Sequence, residues 1–86
     1  MKLPRDLGGE ELARLLSRYG YRVVRQTGSH LRLVSTFKGW EHRITIPKHK
    51  PLRVGTLGHI LKEVAAYVEI DREKLIRELF EPKRRA

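Results

Sequence analysis

The chain has 86 residues, enough for one compact domain, 1–86, with one modest core. It holds no cysteine, which excludes disulfides, thiolate catalysis and cysteine-bound zinc; its longest apolar run, Val64–Val68, is far short of a membrane span, and Met1–Asp6 lacks the apolar core expected of a secretory signal. Lys and Arg number 19 against 10 Asp and Glu, a formal charge of +9, and this one-sided surplus favours a phosphate polyanion over heat adaptation, which enriches both signs.

Leu7 to Tyr19 reads as a first helix, because Leu12, Leu15, Leu16 and Tyr19 recur with helical spacing. Gly8 stands at its N-cap with Glu11 three positions on, Leu7 and Leu12 are placed for a hydrophobic staple, and Gly20 supplies a left-handed stop. Tyr21–Thr27 is rich in β-branched and aromatic residues, Gly28-Ser29 is a tight-turn signal, and His30–Thr36 alternates, so the two runs form a β-hairpin. A looser connection, Phe37–Glu41, leads to a third strand, His42–Pro47, which Pro47 ends or places at an edge. After a polar loop, Lys48–Val54, Gly55-Thr56 opens a second helix with Thr56 as N-cap and Leu57, Ile60, Leu61, Val64 and Val68 as its apolar stripe. Asp71 caps a short third helix with Leu75, Ile76, Leu79 and Phe80 inward, and Pro82–Ala86 is a basic tail.

The order α-β-β-β-α plus a terminal helix predicts an α+β fold, a three-stranded antiparallel sheet with helices on one face. Alternation turns Leu31, Leu33, Ile44 and Ile46 inward, leaving His30, Arg32, Val34, Arg43 and Thr45 on an open face. The first strand has two registers, since Val23 and Val24 are adjacent. One exposes Arg22, Val24 and Gln26, and the other exposes Arg25.

A histidine among arginines suits RNA chemistry. Arginines position a phosphodiester through charge-assisted hydrogen bonds and stabilise charge growing on its oxygens. A histidine can take the ribose 2′-hydroxyl proton and return one to the leaving 5′-oxygen, so the nucleophile belongs to the RNA. A lone strand histidine is, taken by itself, more often structural or simply exposed.

Gly20–Leu31, with its glycine-aromatic start and Gly28-Ser29-His30 hairpin, resembles the signature of the HicA (YcfA-like) toxins. Ile46-Pro47-Lys48-His49 and Val54-Gly55-Thr56-Leu57 with Ile60-Leu61 are similar to that family's third-strand exit and helix opening, and the likeness runs from Leu7 to Phe80. The resemblance implies a double-stranded-RNA-binding-like fold, a cytoplasmic mRNA endoribonuclease of a type II toxin-antitoxin system, a HicB-type antitoxin whose binding covers His30, and an oligomeric state set by that complex. It places the catalytic histidine on His30 and implies no cofactor and no metal. Gly8-Gly9 departs from a serine cap, and Asp71–Ala86 extends beyond the shortest members.

The expected RNA contacts are Arg25, Ser29, Arg32, Arg43, Lys48, His49 and Lys50. Lys48, His49, Lys50 and Arg53 form either a phosphate-binding rim beside the helix that follows or a solvated basic loop, and Lys48 or His49 is the alternative for a second acid. His42 is expected at a strand end in inward phase, and His59 on the helix surface. The four histidines lack metal-ligand spacing. Trp40 stacks on a base, meets the antitoxin or folds onto the core. Three functions follow: a toxin nuclease that needs His30, a non-catalytic RNA-binding domain of the same fold that needs Arg25, Arg32 and Arg43, and a module for an acidic protein with little salt-dependent RNA affinity.

Overall fold

The computed structural model describes residues 3–81. Helix α1, Gly9–Leu16, runs into a 3-10 turn, Ser17–Tyr19. Strands β1, Arg22–Thr27, β2, His30–Ser35, and β3, His42–Pro47, form an antiparallel sheet in the order β1-β2-β3. Helices α2, Val54–Val68, and α3, Arg72–Phe80, complete the α+β fold, while the basic tail Pro82–Ala86 lies outside the described residues.

The Gly8 N–H donates to the Glu11 carboxylate at 2.8 Å, so glutamate closes a cap that glycine cannot supply itself. This bond, and then the nearby Lys50 cation, hold the Glu11 carboxyl below its ordinary pKa. Gly20 ends the first segment at φ +79, left-handed backbone that glycine adopts without penalty. A Cβ on Gly9 would stand 2.0 Å from the Pro47 carbonyl oxygen, so α1 seats directly on the end of β3.

Leu31, Leu33, Ile44 and Ile46 join Leu12, Leu16, Leu57, Leu61 and Val64 in the core, so the helices cover one side of the sheet. Leu75, Ile76 and Leu79 of α3 enter the same core, and Phe80 packs on it partly buried. Tyr19 and Arg18 reach α3 through hydrogen bonds to the Glu78 side chain and carbonyl. Burial, reinforced by the Glu78 bond, pushes the Tyr19 hydroxyl up to about 12.

Two start signals differ from expectation. Helix α2 begins at Val54 with Arg53 as N-cap, and Thr56 lies inside the first turn. The Leu52 N–H is fixed to the Leu7 carbonyl at 2.8 Å and its side chain is buried, which orients the chain for helix entry before Gly55-Thr56. Asp71 does occupy the N-cap of α3, but its side chain makes no capping hydrogen bond.

Tyr67 on α2 organises the far end of the sheet. Its buried hydroxyl reaches the carbonyls of Trp40 at 2.6 Å and Ser35 at 3.3 Å, and accepts the Lys38 N–H at 3.0 Å. The Tyr67 ring stacks on His42 at 4.7 Å and meets Trp40 edge-on at 4.7 Å. Buried Ser35 donates to the Tyr19 carbonyl at 2.7 Å and accepts the Phe37 N–H, tying β2 to the 3-10 turn. Among the described residues no helix is long and apolar enough to cross a membrane.

Candidate nucleic-acid interface

The face of the sheet away from the helices is built in three cross-strand rows, because directly paired antiparallel residues point the same way. The first row is Thr27, His30 and Pro47; the second is Arg25, Arg32 and Thr45; the third is Arg22, Val34 and Arg43. Rows on one face lie about 7 Å apart along the strands. His30 therefore stands one row from Arg25 and Arg32, and two from Arg22 and Arg43.

The two registers considered for β1 are both partly realised. Pairing slips between Val23 and Arg25, which leaves Val24 as a bulge residue opposite no partner of its own. Arg22 stays outward beside Val34, Val23 faces inward beside Leu33, and Arg25 returns outward beside Arg32. Gln26, placed outward when Arg22 is outward, instead pairs with inward Leu31. Arg22, Val24, Arg25, Arg32, Arg43 and Thr45 all border one shallow depression, where Glu41 and Glu63 are the two carboxylates.

Val34 corrects one expectation. It has the outward phase yet is only 7% exposed. It sits on the central strand, and its flanking row partners are long arginines, whose methylene stems cover apolar neighbours while the guanidinium stays in water.

His30 is exposed at the first residue of β2, directly after the turn. Gly28 has φ +52 at the first turn position, the backbone a two-residue hairpin of this kind requires. The Ser29 hydroxyl is 3.5 Å from His30 Nδ1, too long for a strong hydrogen bond. The Lys48 N–H, however, donates to the Ser29 carbonyl at 2.6 Å, which brings the loop after β3 against the hairpin turn. The Gly9 N–H donates to the His49 carbonyl at 3.0 Å and fastens the same loop to α1.

The proposed contacts thus divide. Ser29, His30, Lys48 and His49 meet at one end of the sheet, and Arg25 and Arg32 form the adjoining row. Lys48 Nζ lies 3.7 Å from Glu10, and Lys50 Nζ 3.7 Å from Glu11, so both cations also latch the loop to the first turn of α1. Arg43, in the farthest row, pairs with Glu41 at 3.3 Å.

His42 lies at the strand end with its Nδ1 2.7 Å from the Tyr21 hydroxyl, within the aromatic group around Tyr67. Burial raises the Tyr21 hydroxyl pKa, with Tyr67 and Glu63 adding to it. Trp40 packs one side against Tyr67 and His42 but keeps 57% of its surface exposed. His59 pairs with Glu63 on the surface of α2 at 3.2 Å. Among the described residues no three His, Cys, Asp or Glu side chains gather into a metal-holding group. Sequence reading missed Tyr67, Ser35 and Glu10. For Tyr67 the available signal was its position three residues after Val64 on the apolar face of α2.

The family model described as HicA toxin of bacterial toxin-antitoxin matches residues 9–65, which span α1, the whole sheet and most of α2. Neither the curated proteins nor the solved structures provide a match.

Proposed function

The chain belongs to the HicA toxin family of bacterial toxin-antitoxin systems, and from that premise we propose that residues 1–86 form a toxin domain that cleaves mRNA without a metal. RNA lies across the open face. Arg25 and Arg32 hold its phosphates, with Arg43 as an outer contact and Ser29, Lys48, His49 and Lys50 along the rim. His30 takes the proton of the ribose 2′-hydroxyl, which attacks the neighbouring phosphorus, and returns a proton to the departing 5′-oxygen. The arginine row stabilises charge on the non-bridging oxygens as the transition state forms. An antitoxin of the HicB type restrains the activity in the cytoplasm, and binding it sets the oligomeric state.

The observation that carries this reading is the position of His30: solvent-exposed, on the open face, one row from two arginines and beside a basic loop. A catalytic imidazole has to reach the substrate, and a core histidine does not. The test is expression of wild type and His30→Ala in a bacterium, with growth and RNA integrity followed together. Loss of both effects in the mutant, with binding to a short RNA retained, supports catalysis by His30. Equal toxicity of the two proteins rejects it, and salt-sensitive binding without cleavage by either assigns a non-catalytic RNA-binding domain instead.

A further inference from the structure

Strand β1 is an unfinished edge of the sheet. All six of its residues are exposed, including Val23 at 47% and Val24 at 51%, two of the few large apolar side chains open to solvent. They sit on opposite sides of the strand: Val23 lies in a groove against Ala13 and Arg14 of α1, while Val24 borders the arginine face. The two-residue turn makes Thr27 and His30 the closing hydrogen-bonded pair. Alternation then turns the N–H and C=O of Gln26 away from β2, and past the bulge the same holds for Val23. The edge therefore offers main-chain donors and acceptors with apolar surface on either side.

We propose that β1 is the docking edge for an extended, acidic segment of a partner protein, which adds to the sheet as a fourth strand. This deepens the antitoxin half of the toxin reading and rests on it. Charge selects the occupant. Arg14 and Arg22 line the groove beside Val23, where the one carboxylate, Glu10, faces Lys48 at 3.7 Å; on the Val24 side Arg22, Arg25, Arg32 and Arg43 outnumber Glu41 and Glu63, and Arg43 already holds Glu41. A second copy of this chain would bring the same arginines against one another, and the bulge at Val24 interrupts a regular self-pairing. RNA satisfies the charge but does not bury Val23 and Val24 or supply a strand's alternating donors and acceptors. A strand of alternating acidic and apolar residues lays its apolar face on Val23, turns its acidic face to the arginines beside Val24, and supplies the main-chain partners.

The probe is a capped octapeptide of alternating glutamate and valine, added to the purified full chain, with amide hydrogen exchange read residue by residue. The expected result is slowed exchange at Val23 and Gln26, absent with an alternating lysine-valine peptide. Gln26→Pro removes an outward N–H without breaking the β1–β2 ladder. It should abolish the protection while circular dichroism shows a folded protein. As a second variant, Arg22→Glu with Arg25→Glu should reverse the preference toward the lysine peptide. Unchanged exchange at saturating peptide overturns the proposal, as does equal protection by both peptides. Protection of these amides by self-association would assign the edge to a second copy, and protection by an oligouridylate but not by the peptide would assign it to RNA. The readout does not involve RNA cleavage, so a failed edge leaves the role of His30 standing, and a failed nuclease assay leaves the edge standing.

Discussion

Replacing Gly9 by alanine tests how the His30 end of the sheet is mounted. The added methyl carbon would lie 2.0 Å from the Pro47 carbonyl oxygen, 3.0 Å from its carbon and 3.2 Å from Ile46 Cγ2. The obstacle is main chain at the end of a paired strand, so no rotamer relieves it. α1 and β3 must separate by more than about 1 Å, since dispersion contacts have optimal separations near 3.5 Å or more. Overpacking of this kind costs about 1–3 kcal/mol, and the stretched hydrogen bond from Gly9 to His49 adds about 1 kcal/mol. Together, at roughly 4–8 °C per kcal/mol for a domain of this size, the melting temperature should fall by about 8–32 °C. Gly8→Ala is the matched control: its methyl carbon meets the Lys50 side chain, at 3.2 Å and beyond, and alanine at an N-cap costs roughly 0.5–1 kcal/mol more than glycine. Thermal unfolding by circular dichroism decides the matter. A Gly9→Ala protein melting within about 2 °C of wild type, well under a kcal/mol, would refute the seating of α1 on Pro47.

Tyr67→Phe should destabilise by about 1–3 kcal/mol, because the carbonyls of Ser35 and Trp40 and the Lys38 N–H lose a buried partner. Denaturant unfolding measures the loss, and emission from the one tryptophan, Trp40, should shift to longer wavelength as its ring leaves the cluster. Arg32→Ala, at the centre of the open face, should weaken RNA binding and reduce the slope of log affinity against log salt by about 1, measured by fluorescence anisotropy. For Glu11 the folded pKa is lowered below its ordinary 4.5, so its stabilising contribution is present above that value and disappears as pH falls through the lowered one. The melting-temperature gap between wild type and Glu11→Gln should accordingly be open at neutral pH and narrow below pH 4.5.

The order of elements was legible because its signals are local. Gly20 and Gly28 mark places where the backbone turns through positive φ, and Leu31, Leu33, Ile44 and Ile46 alternate as strands with one buried face require. The position of His30 followed from the same alternation. What stayed hidden depends on distant neighbours. The adjacent valines Val23 and Val24 left two registers open for β1, and only the pairing with β2 reveals the bulge that keeps Arg22 and Arg25 on the same side. The start of α2 is set by a main-chain bond to Leu7, forty-five residues away, against which the Thr56 capping signal has no force. Lys48 and Lys50 read as free cations until α1 folds back and sets Glu10 and Glu11 opposite them. Val34 has outward phase, and its burial comes from the strands on either side of it.

Lys48 to Ser29, Gly9 to His49 and Leu52 to Leu7 are all bonds between peptide groups. The scaffold around the histidine therefore does not depend on the identity of the side chains it carries. Substitutions at Ser29, Lys48, His49 or Lys50 exchange the tools while the bench stays bolted down, since the exposed ion pairs of the two lysines contribute little. Truncating these side chains one at a time should therefore change RNA binding with only a small effect on melting temperature.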